Sequence, residues 1–167
     1  RTKMVEEGSI FYTTSDTETI VKLIARSKRS KTVDRVIDAL FQIQGGYALV
    51  VLTQNILIGA RDPFGIRPLV IGKLKRSYVL ASETCALDII GAKYIRDVQN
   101  GEIVCIENGK LQSIKPFPQK KIRPCVFEYI YFSRPDSILN GKTAYEYRKS
   151  FGAELAKEEK IESDLVV

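Results

Sequence analysis

Few residues in this chain have the type and spacing to carry chemistry. Three thiols, at Cys85, Cys105 and Cys125, form no C-x-x-C pair, and no histidine occurs anywhere in the 167 residues. A His-containing zinc site and a histidine-dependent catalytic triad are therefore excluded within this segment. An odd, sparse thiol count fits a reducing cytoplasm better than a disulfide framework. Ser15 and the carboxylate Asp16 stand just ahead of an apolar-periodic stretch. That placement suits a helix N-cap, in which a side-chain oxygen takes up a free backbone N–H. The stretch Arg61-Asp62-Pro63-Phe64-Gly65-Ile66-Arg67 has the make-up of a tight turn, with Pro63 presetting the bend and Gly65 suited to a positive φ. An Arg/Asp pair flanking such a turn usually locks it, so these charges read as scaffold. Tyr129 and Tyr131 belong to an apolar aromatic run at 126–132.

The elements that must position these groups follow from periodicity. A short strand is expected at 9–13, after Gly8, and then a helix carrying Ile20, Leu23 and Ile24 on one face. A second helix begins at Thr32, with Val33, Val36, Ile37, Leu40 and Phe41 on one side. The period then changes to short, β-branched runs at 47–53, 56–60, 68–72 and 77–81, interrupted by a helix at 83–90. Strands resume at 94–98, 102–107 and 110–114, the last two joined by Asn108-Gly109, a strong hairpin signal. Pro116, Pro118 and Pro124 among basic residues mark a linker, and a helix is expected over about 143–159. The expected organisation is an α+β domain at 1–115, a linker at 116–124 and the start of a second domain at 125–167.

Composition narrows the function classes. An apolar fraction of 44% with 28% charged residues is that of a globular protein, and no apolar run is long enough to span a membrane. The net charge of +6 gathers in two short stretches, around Lys28-Arg29 and around Lys120-Lys121, both in expected loops. Without an aromatic RNA-binding motif or helix-turn-helix spacing, this is solvated loop charge, and no nucleic-acid partner is expected. A basic surface also suits an anionic, phosphorylated substrate.

Three stretches go beyond a generic domain: Arg61 to Leu69 (R-D-P-F-G-I-R-P-L), Leu80 to Asp88 (L-A-S-E-T-C-A-L-D) and Cys125 to Ser137 (C-V-F-E-Y-I-Y-F-S-R-P-D-S). With Thr13-Thr14-Ser15-Asp16-Thr17-Glu18 ahead of them, they closely resemble glutamine phosphoribosylpyrophosphate amidotransferases. The first stretch alone is shared with other glutaminase domains, such as that of asparagine synthetase, whereas the third narrows the resemblance to this family. The resemblance implies an Ntn-hydrolase αββα sandwich, here partial, followed by the beginning of an α/β phosphoribosyltransferase domain. It also implies a nucleophilic N-terminal cysteine with its own α-amino group as base. Ammonia would then cross to a second site and displace pyrophosphate from phosphoribosyl pyrophosphate, with Mg2+ accompanying that substrate. A cytoplasmic homotetramer under purine-nucleotide feedback is implied too.

Carried over residue by residue, the resemblance makes Asp16 the group that holds the α-amino group of glutamine, a charge-assisted hydrogen bond that rejects substrates lacking the amine. The N-cap reading stays open beside it. Tyr129 and Tyr131 fall on the segment between the two domains and either line a dry ammonia channel or pack in a core. Cys125 corresponds to one of four ligands of a 4Fe–4S cluster in the cluster-bearing members, although members without a cluster also carry a cysteine there. Cys85 and Cys105 read as buried small residues. The chain starts at Arg1 and ends in the apolar Asp164-Leu165-Val166-Val167, so both ends look cut from a longer polypeptide. On that expectation the segment lacks the nucleophile and is inactive alone. A glutaminase serving another acceptor, or a non-catalytic remnant, are the alternatives.

Overall fold

The computed structural model describes every residue except Gln119, Lys160, Ser163, Val166 and Val167, so the last two residues of the apolar ending lie outside the described residues. The chain divides into two compact units, Arg1–Gly45 and Gly46–Val167.

The first unit holds helices α1 (Thr2–Glu6), α2 (Asp16–Arg26) and α3 (Thr32–Leu40). The apolar stripe of α3 buries Val36, Ala39 and Leu40, and α2 packs beside it. Nothing in the sequence signalled α1, a helix of five residues. The strand expected at 9–13 does not form. Its N–H groups at Tyr12 and Thr13 bond to the Glu18 carboxylate, at 3.0 and 2.9 Å, rather than to a neighbouring strand.

In the second unit, β1 (Ala48–Leu52), β2 (Ile56–Arg61), β6 (Ile103–Glu107) and β7 (Lys110–Ile114) form an antiparallel sheet in the order β1-β2-β6-β7. A second antiparallel sheet has the order β4-β3-β5, from β3 (Val70–Leu74), β4 (Ser77–Ala81) and β5 (Lys93–Asp97). The β6–β7 hairpin turns at Asn108-Gly109, both with positive φ (50° and 72°), the backbone that a two-residue turn of matching twist needs. Strand β3 begins two residues later than its sequence pattern suggests, because Pro68 has no N–H to give to a ladder.

Alternation along β3 sends neighbouring residues to opposite layers. Ile71 joins Leu69, Val98 and Val104 in a core that also receives Ala48, Leu80 and Leu111, side chains from both sheets. Val70 instead packs with Leu87 and Ala92 under α4 (Thr84–Ile89). Two glycines let these layers close. A Cβ at Gly59 would stand 2.8 Å from Leu80, and one at Gly72 would stand 2.6 Å from fully buried Leu87. The layers are also stitched by charge: Arg96 of β5 makes a two-pronged contact to buried Glu102, at 2.7 and 2.8 Å, and Ser113 of β7 donates to the same carboxylate. Burial alone would raise the Glu102 carboxyl, but the bonds from Arg96, Ser113 and the Gln99 N–H outweigh it and hold it below the usual range.

Beyond residue 115 the chain makes a π-helical turn (Glu128–Phe132), a small hairpin of β8 (Ile138–Leu139) and β9 (Lys142–Thr143), and helix α5 (Ala144–Glu158). Helix α5 opens on a reciprocal capping box between Thr143 and Glu146. The observed class is α+β with antiparallel sheets. Among the described residues no helix is long and apolar enough to cross a membrane.

Candidate functional site

In the first unit, the loop before α2 is organised by Glu18. Its carboxylate accepts the Tyr12 and Thr13 N–H groups and the Thr13 hydroxyl, and Lys22 lies 3.5 Å away. The Tyr12 N–H first, then the Thr13 hydroxyl and the Thr13 N–H, pull its pKa down to about 2. The N-cap itself is Ser15, which accepts the Thr17 N–H at 3.3 Å. Asp16 follows as the first helical residue, exposed, and among the described residues no hydrogen bond or ion pair engages its carboxylate. The S-x-x-E spacing of Ser15 and Glu18 is a capping-box signature that could have revealed Glu18.

This geometry has a pH consequence. A carboxyl depressed from 4.5 to about 2 stabilises the loop fully above pH ~4.5 and loses that effect as the pH falls through about 2. Hydrogen exchange at Tyr12 and Thr13 is expected to lose its protection across that window, and Glu18→Gln is expected to abolish the pH dependence.

In the second unit, Arg61 and Asp62 lock their loop, though not by pairing with each other. The guanidinium donates to three carbonyls, those of Arg67 (2.8 Å), Val98 (2.8 Å) and Gly65 (3.1 Å). The fully buried Asp62 carboxylate accepts three backbone N–H groups, from Phe64 (2.9 Å), Ile66 (2.9 Å) and Tyr47 (3.3 Å). Its carbonyl closes the turn by accepting the Gly65 N–H, and Gly65 has a φ of 63°. Beside it, burial first and the Asp62 charge second push the Tyr47 phenol well above its ordinary range.

The loop is also a seat. The Arg123 N–H bonds to the Phe64 carbonyl and the Cys125 N–H to the Ile66 carbonyl, so the proline-rich stretch lies along it. Arg67 then reaches Glu128 in an ion pair at 2.9 Å and stacks over the Phe132 ring at 4.6 Å. The far end of the aromatic segment is held by α4: the Glu83 carboxylate accepts from Arg134 N–H and from the Ser137 hydroxyl. The three stretches singled out in the sequence thus meet in one place.

Between them lies a cavity of about 380 Å3, whose walls include Arg61, Glu83, Asp97, Tyr129, Ile138 and Asn140. Tyr129 packs edge-on against Tyr147 (4.9 Å) and its hydroxyl bonds to Asn140 (2.7 Å). Burial, and then the neighbouring Tyr147, raise its pKa. Tyr131 is instead 78% exposed, with its ring edge-on to Phe132. Cys125 is half-buried and free, while Cys85 and Cys105 are buried. Among the described residues no three His, Cys, Asp or Glu side chains gather to hold a metal ion. These residues therefore do not by themselves fit an iron–sulfur cluster or a Mg2+ site. Roles for Glu83 and Asn140 escaped the sequence reading, as did the partner of Arg67, which read only as scaffold and whose ion pair spans 61 residues.

Residues 1–88 match the family described as "Glutamine amidotransferase domain". Amidophosphoribosyltransferase of Rhizobium etli is 48% identical over 172 residues, covering 100% of this chain and 35% of that protein. The chloroplastic amidophosphoribosyltransferase of Glycine max is 47% identical over 161 residues, covering 96% of this chain and 28% of that protein. Among solved structures, the glutamine phosphoribosylpyrophosphate amidotransferase from B. subtilis, complexed with ADP and GMP, superposes with a TM-score of 0.92 at 41% identity over 98% of this chain and 36% of its own. The chain spans about a third of the length of these relatives. It belongs to the glutamine amidotransferase domain family, and along its whole length it is similar to amidophosphoribosyltransferases.

Proposed function

We propose that this chain is the glutaminase-bearing part of an enzyme that transfers ammonia from glutamine to phosphoribosyl pyrophosphate, giving phosphoribosylamine at the start of purine synthesis. The seating of the 125–137 segment on the 61–67 loop and on Glu83 carries this reading. The stretch that narrows the resemblance to amidophosphoribosyltransferases is built into the glutaminase-type core, beside a cavity. The sheet–sheet–helix layering of the second unit supports the Ntn-hydrolase assignment. Residues 125–167 read as the start of a phosphoribosyltransferase domain.

In this reading Asp16 binds the glutamine ammonium, and the attacking cysteine lies outside these 167 residues. Tyr129 lines the ammonia route, and Tyr131 faces the neighbouring domain. Cys125 would ligate a cluster only with three further thiolates from elsewhere in the protein, and Mg2+ would arrive with phosphoribosyl pyrophosphate. A homotetramer and a reducing compartment, the cytoplasm, complete the proposal, the latter favoured by the three free thiols.

Pyrophosphate release by the full-length protein tests the proposal. Release that requires both glutamine and phosphoribosyl pyrophosphate is expected. Glutamine hydrolysis with no consumption of that acceptor would transfer the chain to another glutaminase class.

A further inference from the structure

Glu83 occupies the N-cap of α4 with the extended backbone of a cap residue (φ −137°, ψ 153°), yet its side chain caps no backbone N–H of that helix and takes from it only the weak Cys85 thiol bond at 3.9 Å. Ser, Thr, Asp and Asn fill that position best. The Glu83 carboxylate reaches instead across more than fifty residues of sequence, to the Arg134 N–H at 2.8 Å and the Ser137 hydroxyl at 2.6 Å. Thr84, next to it and buried, accepts the Ile138 N–H at 2.8 Å. The Arg134 guanidinium does not compete for Glu83, because Asp136 holds it in a two-pronged pair at 3.0 Å. From the opposite side, Glu128 takes the Ser133 hydroxyl, and Arg148 donates to the Ser133 and Tyr129 carbonyls. The turn at 133–138 is therefore gripped at both ends, and Glu83 shares the cavity wall with Tyr129.

We infer that Glu83 is a positioning residue that fixes this turn, and with it the Tyr129 wall of the cavity, so that ammonia released from glutamine reaches the acceptor instead of water. The inference rests on the reading under Proposed function. Ammonia must remain enclosed and unprotonated to act as a nucleophile, and a wall that drifts admits water. Glu83→Gln keeps the size of the side chain but removes the charge that strengthens both bonds. Ser137→Ala removes only one of them.

The test compares three rates in the full-length protein: glutamate release, phosphoribosylamine formation from glutamine, and phosphoribosylamine formation from ammonium chloride. Loss of charge-assisted bonds predicts that Glu83→Gln lowers the glutamine-supported rate about tenfold while the ammonium-supported rate stays within about twofold. Glutamate released per phosphoribosylamine rises correspondingly. Ser137→Ala shows the same pattern to a smaller degree, and the double variant is no worse than Glu83→Gln. Equal losses in both synthetic rates, or an unchanged glutamate ratio, would overturn the inference. If Glu83→Gln does not fold, the ratio in Ser137→Ala decides alone. A wild type that makes no phosphoribosylamine from glutamine would refute the functional reading itself, an outcome distinct from either.

Discussion

Replacing Asp62 by alanine is expected to destabilise the protein by about 4 kcal/mol, since a buried donor left without its acceptor costs roughly 1–3 kcal/mol. Three such donors, the N–H groups of Tyr47, Phe64 and Ile66, converge on the one carboxylate, which is fully buried. Tyr47 is buried as well, while Phe64 and Ile66 are half-buried, so the loss falls short of three full penalties. The loop also seats Arg123 and Cys125 through the Phe64 and Ile66 carbonyls, so its opening would release the aromatic segment as well. Chemical denaturation of the full-length protein measures the loss. Asp62→Asn separates acceptor geometry from shape: its one carbonyl can serve the two donors that share Oδ2, while its NH2 faces the Phe64 N–H. About half the alanine effect is expected for it. A loss below about 1 kcal/mol in the alanine variant would mean that the loop is held by Arg61 alone, and would overturn the assignment of Asp62 as its organiser.

How far these features were legible in the sequence depended on how local their causes are. The β6–β7 hairpin could be read to the residue because Asn108-Gly109 fixes both the turn and the register. Gly65 and Pro63 likewise announced a tight turn with a positive φ. The same sequence suggested that Arg61 and Asp62 pair with each other. In fact each serves backbone groups, a distinction set by which carbonyls and N–H groups the surrounding chain delivers. The strand expected at 9–13 failed for a similar reason: Glu18 takes the N–H groups of Tyr12 and Thr13 from outside the segment. The grip of Glu83 on Ser137 and of Arg67 on Glu128 left no local trace. Only the coincidence of three stretches resembling one family hinted that they would meet.

Asp16→Asn in the full-length protein is expected to raise KM for glutamine about 100-fold, the loss of roughly 2.7 kcal/mol when a carboxylate that faces an ammonium becomes neutral. The turnover number should change far less, because the α-amino group lies away from the amide being cleaved. The sequence left two roles open for this residue, and the structure removes one of them, the N-cap. Capping of α2 falls to Ser15, while the Asp16 carboxylate is exposed and, among the described residues, without a hydrogen-bond partner. Its remaining structural effect is favourable placement of a negative charge in the first helical turn, worth at most about 1 kcal/mol. Asp16→Asn should therefore unfold close to the wild-type midpoint despite its large KM. Ser15→Ala should do the reverse, losing about 1 kcal/mol of stability with a small effect on KM. If Asp16→Asn leaves KM unchanged in a folded protein, the ammonium is held elsewhere. If its stability falls as far as that of Ser15→Ala, the carboxylate belongs to the helix and not to the substrate.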